Sequence, residues 1–222
     1  MPLVASREPE REFENPPADT HIGTCYRVLD LGTQQTPFKD EKTGALKRQH
    51  QVQLSWELDC LMTDGKPFSM HRRYTLSLHE KSALCKDLQA WRGKPFTEAE
   101  LEAFDLSAIL GTSCLIGVAH EQKEGGKVYA KISSILKLPK NTKAPALVNP
   151  RVCLILKPGE FNYDTFANLS DSMRDTIRQS PEYLECTKDQ GGEPKPDEVD
   201  EAPDADPSQY GTSGHVEEGV KF

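Results

Sequence analysis

From Val52 to Cys60 the chain reads VQLSWELDC, and an apolar residue occupies every second position. Val52, Leu54, Trp56, Leu58 and Cys60 alternate with Gln53, Ser55, Glu57 and Asp59. Only an extended strand gathers residues of period two onto one side, whereas a helix would scatter them around its circumference. The pattern predicts a strand with one buried and one wet face. Trp56 belongs to the apolar set, which assigns it to the core rather than to a binding surface.

Extended segments surround this one. HIGTCYRVLDL, residues 21–31, predicts a first strand ended by Gly32, followed by a polar loop from Thr33 to about Gln49. Asp64-Gly65 is a turn signal, and a third strand is expected from Phe68 to Leu78, completing a meander. Helical spacing then replaces alternation. Ala83, Leu84, Leu88 and Trp91 predict a helix over Glu80–Trp91, with Gly93 as its stop. A second short helix is expected over Glu98–Phe104, with Thr97 as cap and Glu100 completing a capping box. Two strands follow: Cys114, Ile116 and Val118, then Val128, Ala130 and Ile132, turned at Gly125-Gly126.

Three antiparallel strands, a helical insertion and two further strands give the element order of a five-stranded Greek-key barrel of the OB type. The expected fold class is mainly β with helical additions, the helix lying between strands three and four. Closing the barrel would remove the edges a short meander leaves open. A generic α+β domain would produce much the same element order. Beyond Pro139, VCLIL (152–156) is an apolar run expected to dock on the barrel. Phe166, Leu169, Met173 and Ile177 predict an amphipathic helix ending before Ser180-Pro181, and the ordered body should stop near Cys186.

Charge divides the chain in three. Residues 189–222 hold ten carboxylates and two lysines, a net −8 equal to that of the whole protein. Apart from Tyr210 and Phe222 they offer almost nothing to bury, so residues 187–222 are expected to form a disordered acidic tail. Residues 1–20 carry five carboxylates against two arginines and are expected to be a flexible acidic arm. The intervening 21–186 body is mildly basic and long enough for one domain with a proper core. Acidic tails of this kind often serve as interaction segments, towards a basic groove of the same chain or towards a partner.

Several chemistries lack a constellation. The six cysteines form no CxxC or CxxH pair, so no metal site is expected and the thiols read as small buried hydrophobes. The histidines fit neither HExxH nor HxH, and neither phosphate loop nor dinucleotide fingerprint is present. No catalytic residue and no cofactor is expected. No apolar run approaches a membrane span and no signal peptide is visible, which makes the expected setting cytoplasmic, without membrane.

Nucleic-acid binding has more support. Residues 121–143 hold six lysines against two glutamates, and Tyr129 and Lys131 fall opposite Val128, Ala130 and Ile132, so both should be exposed. Arg72, Arg73 and Tyr74 interrupt the third strand with charge and an aromatic ring. Single-strand binders need this mixture, because cations track phosphates while ring faces stack on bases. An OB barrel binds on strands two and three and adjoining loops. The candidate DNA-binding residues are Lys47, Arg48, Arg72, Arg73, Tyr74, Lys127, Tyr129 and Lys131; the plainer alternative is a solvated sheet face.

Taken together, CYRVLDLGTQ, QVQLSWEL, ILGTSCLIGVAHEQKEGGKVYAKISSILKLPK, FNYDTFANL and SPEYLE, with the acidic tail and terminal aromatic, resemble a phage-encoded single-stranded DNA-binding protein of the OB-fold type. The resemblance implies a protein of an infected bacterial cell that coats single-stranded DNA in replication and recombination. Its tail would lie over the DNA groove until DNA displaces it, then recruit polymerase, helicase or primase. Asp204, Asp206, Glu217, Glu218 and Phe222 would form the docking element, although Lys221 beside Phe222 dilutes the charge there. A protein–protein adaptor on the same barrel, such as a recombination mediator or assembly factor, and a small metal-dependent nuclease are the other classes; a homodimer is left open.

Overall fold

The computed structural model describes residues 14–39, 43–122 and 125–188. The expected tail, including Asp204, Asp206, Glu217, Glu218 and Phe222, lies outside the described residues, as do residues 1–13 of the expected arm. Residues 14–20 are tied down. Asn15 Nδ2 donates to Val128 O at 2.9 Å, Ala130 N donates to Asn15 Oδ1 at 3.1 Å, and Thr63 N donates to the Glu14 carboxylate.

The protein is mainly β. Strands β1 (Thr20–Lys39), β2 (Leu46–Leu61) and β3 (Pro67–Thr75) precede helices α1 (Ala83–Arg92) and α2 (Glu98–Glu102). Next come β4 (Ser113–Gln122), β5 (Val128–Lys137) and β6 (Val152–Leu154), then α3 (Tyr163–Ala167), α4 (Asp171–Arg178) and α5 (Pro181–Thr187). The hydrogen-bonded path β3-β2-β1-β4-β5 is antiparallel throughout, and β6 adds in parallel to β1. Strand β1 can serve so many partners because of its length. β2 pairs along one edge, while the other edge takes β4 at Thr20–Thr24 and β6 at Arg27–Leu29.

The polar loop expected over 33–49 is instead a hairpin arm. β1 continues to Lys39 and β2 starts at Leu46, with Gln34 opposite Gln49 and Gln35 opposite Arg48. Most side chains near the tip face solvent, so backbone pairing holds the arm without any apolar alternation to announce it.

The two helices of the insertion match their local signals. Ser82 Oγ accepts from Cys85 N at 3.1 Å to start α1, and Gly93 ends it in the left-handed region (φ 66°). Thr97 and Glu100 form the expected capping box of α2. Leu84, Cys85, Leu88 and Trp91 of α1 pack on Trp56, Met70, Ile116 and Ile135, closing one face of the sheet. Trp56 is fully buried, as its phase requires, and its ring lies 5.8 Å from that of Trp91.

The wet face expected for β2 is covered. Gln53, Ser55 and Glu57 are buried along with the apolar set. Gln53 and Ser55 accept from Arg73 and Arg27 on that face, while Glu57 and the outward residues of β1 meet a second layer built from the C-terminal part of the chain. Leu29 and Leu31 of β1 point away from the first core into a cluster with Leu154, Leu156, Phe166, Leu169, Ile177 and Tyr183. Segment 148–149 closes over Glu57, whose carboxylate accepts from Val148 N (2.9 Å), Asn149 N (2.8 Å) and Asn149 Nδ2 (2.6 Å). The single helix expected around 166–177 is broken into α3 and α4, and Ser180-Pro181 begins α5 as cap and first-turn proline.

This second layer is fastened by ions. His50 Nε2 lies 2.6 Å from Asp30 Oδ1, and Glu182 of α5 accepts from Thr33 N (2.8 Å) and Thr33 Oγ1 (2.6 Å). Asp30 also accepts from Gly32 N and Leu156 N. No helix among the described residues is long and apolar enough to cross a membrane.

Candidate nucleic-acid interface

The eight candidate residues fall in three places. Lys47 and Arg48 sit exposed on the hairpin arm, at the start of β2. Arg72, Arg73 and Tyr74 lie on β3. Lys127, Tyr129 and Lys131 occupy the turn and first residues of β5.

On β3 the period of two separates the triplet. Phe68, Met70 and Tyr74 are buried, so Arg72 shares the inward phase while Arg73 points outward with Ser69 and His71. Tyr74, expected to offer a stacking face, is only 4 % exposed and belongs to the first core. Its hydroxyl donates to Asp87 Oδ2 at 2.8 Å, and burial, then the Asp87 charge, push its ionisation far above the usual phenol range. Arg72 pairs with the same carboxylate at 3.1 Å and lies over the Tyr74 ring. That neutralises part of its charge, so Arg72 is a weaker phosphate ligand than its sequence position suggests.

On β5 Tyr129 and Lys131 do share a face, but Glu121 of β4 holds both. Tyr129 Oη donates to one carboxylate oxygen at 2.6 Å and Lys131 Nζ to the other at 2.7 Å. The Lys131 contact comes first among the causes that hold Glu121 below the usual carboxylate range. Tyr129 is half-buried, Lys131 is exposed, and Lys127 is exposed beside the turn. β3 and β5 also approach one another in space, which brings Arg72 to the side of the sheet where Lys131 lies.

Pairing across β1, β2 and β3 assembles a cluster that sequence reading missed. Arg27 stands opposite Ser55, and Ser55 opposite His71, in one rung across three strands. In the next rung on that face Arg73 stands opposite Gln53. Arg27 Nε donates to Ser55 Oγ at 3.4 Å, and Arg73 Nε donates to Gln53 Oε1 at 3.1 Å. Both partners are neutral, and neither arginine has a carboxylate partner among the described residues. Partial desolvation, then the charges of Arg27 and Arg73, hold His71 below the ordinary imidazole value. Such a cluster lowers its energy by taking an anion. Arg27 also borders a cleft of about 380 Å³, lined further by Val152, Asn162, Asp164, Thr165 and Asn168.

The arm carries the second missed element. Phe38 is 69 % exposed, next to Lys39, which pairs with Leu46 just before Lys47 and Arg48. Its signal was an aromatic residue among lysines in TPFKDEK, in a stretch read as loop. Lys47 is six positions before Gln53 on β2 and shares its outward phase, about 20 Å of strand away, whereas Arg48 falls on the opposite phase with Val52 and Leu54. The outward side of the sheet thus offers Arg27 and Arg73 without carboxylate partners among the described residues, and the arm beyond them carries the exposed Phe38. No protein-family model and no curated protein matches this chain.

Proposed function

We propose that this protein binds single-stranded DNA without strong sequence preference and performs no bond-breaking step. One observation carries the reading: Arg27, Arg73, Lys47 and Arg48 have no carboxylate partner among the described residues, and the exposed Phe38 lies on the same arm as the last two. Cations of this kind neutralise phosphates, and a ring with a free face accepts any base. The strand path supports a five-stranded OB-type barrel, because β3 and β5, its two ends, approach each other in space. In this reading the polynucleotide runs from the Arg27–His71–Arg73 rungs along β2 to the arm, with Lys127 and Lys131 contributing from the side. The acidic tail, which lies outside the described residues, competes for the same cations and becomes available to a replication protein once DNA displaces it.

The test is fluorescence anisotropy of a labelled oligo(dT) of about 30 nucleotides, longer than the roughly 4–16 that one OB fold covers. Full-length protein and a 1–188 truncation are compared at several salt concentrations. Neutralising four or five phosphates gives a log K against log salt slope of about −3 to −3.5, and replacing Arg27 and Arg73 together should reduce it by about 1.4. Truncation should tighten binding; equal affinity of the two proteins would remove the competing tail from the account. Absence of binding by both would favour the adaptor reading, with the tail as the segment presented to a partner.

A further inference from the structure

We propose that His21, Asp59 and Cys60 form a zinc-type divalent metal site, separate from the nucleic-acid interface. His21 Nδ1, an Asp59 carboxylate oxygen and Cys60 Sγ all lie within 4.8 Å of one another. The fold explains how consecutive residues can both face one histidine. The β2–β3 pairing loses its register between Glu57 and Leu61, and strict alternation of side chains fails at such an irregularity. His21 comes from the start of β1, held in place by β4, where it stands opposite Ile116.

The hydrogen bonds of His21 point to a cation. Its Nε2 lies 2.9 Å from Pro17 O, and a carbonyl only accepts, so Nε2 carries the hydrogen. In the neutral ring Nδ1 is then a lone pair, and it faces Asp59 Oδ1 at 3.3 Å. A lone pair and an ionised carboxylate repel unless a positive species lies between them. A proton would answer for those two groups and leave the Cys60 sulfur unused. A metal ion uses all three. The Nε2–H to carbonyl bond is also the outer-shell contact that orients metal-ligating histidines.

The donor set selects the class of metal. One imidazole nitrogen, one carboxylate oxygen and one thiolate sulfur suit zinc, and exclude the all-oxygen preference of magnesium and calcium. Tetrahedral zinc with bonds of about 2.0–2.3 Å has ligand–ligand edges of about 3.3–3.7 Å. His21 and Asp59 already stand at that spacing, and the widest pair must close by about 1 Å at most. On binding, the Cys60 thiol releases its proton to solvent, its sulfur forms the metal bond, and water completes the fourth position. The ion would cross-link the start of β1 to the end of β2. It would also fix the 14–20 segment through Pro17.

Cobalt(II) titration of the chelator-treated, reduced full-length protein tests this. One equivalent should produce a sulfur-to-cobalt charge-transfer band and strong visible bands of four-coordinate cobalt, both bleached by zinc. Cys60→Ser should abolish the charge-transfer band, and His21→Gln or Asp59→Asn should weaken binding about tenfold or more. Cys153→Ser, at a half-buried thiol elsewhere, should leave the spectrum unchanged. The unmutated protein supplies a second readout that needs no variant to fold. Zinc should slow alkylation of Cys60, mapped by mass spectrometry, and leave that of Cys153 alone. No charge-transfer band, a band that survives Cys60→Ser, or alkylation of Cys60 indifferent to zinc would each overturn the proposal.

Discussion

Replacing Glu57 by glutamine keeps the shape of a buried side chain and changes only its hydrogen bonding. In the protein Glu57 Oε1 accepts from Val148 N and Oε2 accepts from both nitrogens of Asn149. Glutamine can put its carbonyl where Oε2 was and keep both Asn149 bonds, without the charge that strengthens them. Its amide group must then meet the Val148 N–H, donor against donor. A stranded donor costs about 1–3 kcal/mol where it is buried and falls at the low end at the exposed Val148, and two bonds reduced from charged to neutral lose about 0.5–1 kcal/mol each. Glutamine is easier to desolvate than a carboxylate, which offsets part of this and leaves a net loss of about 2 kcal/mol. For a protein of this size that is a fall in Tm of roughly 4–8 °C. Urea unfolding measures the global loss, and amide exchange at Val148 and Asn149 locates it. A change below about 0.5 kcal/mol with unaltered protection at Val148 would refute the idea that this carboxylate holds the outer segment on β2.

The Asp30 hydrogen bond raises the pKa of His50 above its ordinary value of 6.5, against the opposing effect of burial, with the Asp30 and Glu182 charges adding to the rise. Its contribution to stability is therefore complete below about pH 6.5 and fades as pH climbs through the folded value, so the stability gap between wild type and His50→Gln should shrink over that window in urea melts. Phe38→Ala, at an exposed ring, should leave stability within about 0.5 kcal/mol while costing about 1–3 kcal/mol of oligo(dT) affinity. Tyr74→Phe should do the opposite, losing about 1 kcal/mol of stability with affinity unchanged, since only the bond to Asp87 is removed. Gly23→Ala would set a methyl 2.5 Å from Ile116 Cγ1 in the packed core; an overpacking loss of about 1–3 kcal/mol by calorimetry is expected.

Local signals carried much of the fold. The alternation of β2, the glycine stop after α1, the capping box of α2 and the β4–β5 pair are all written in neighbouring residues, and each stands where they put it. Burial of Glu57 was illegible because what covers it arrives from more than ninety positions away. The arm was illegible for the opposite reason: nothing buries it, so its strands have no apolar period. At the candidate interface, Arg73 could be read from the sequence but Arg27 and His71 could not, because only cross-strand register puts them beside it. Tyr74 was misjudged although its phase with Phe68 and Met70 marked it as core; the adjacent arginines drew attention from that period.

Strand β1 has a consequence for the order in which this protein can assemble during synthesis. It leaves the ribosome ahead of the other described elements, yet half of one edge waits for β6, and Asp30 waits for Leu156, 126 positions later. Its outward leucines have no cover until α3, α4 and α5 have emerged. The nascent chain therefore carries a half-paired apolar strand until β6 follows, the kind of exposure that invites chaperones and mispairing. Contacts so distant in sequence also close slowly. A pause that let residues 150–186 clear the tunnel would decide whether β1 finds its own β6 or the edge of another chain.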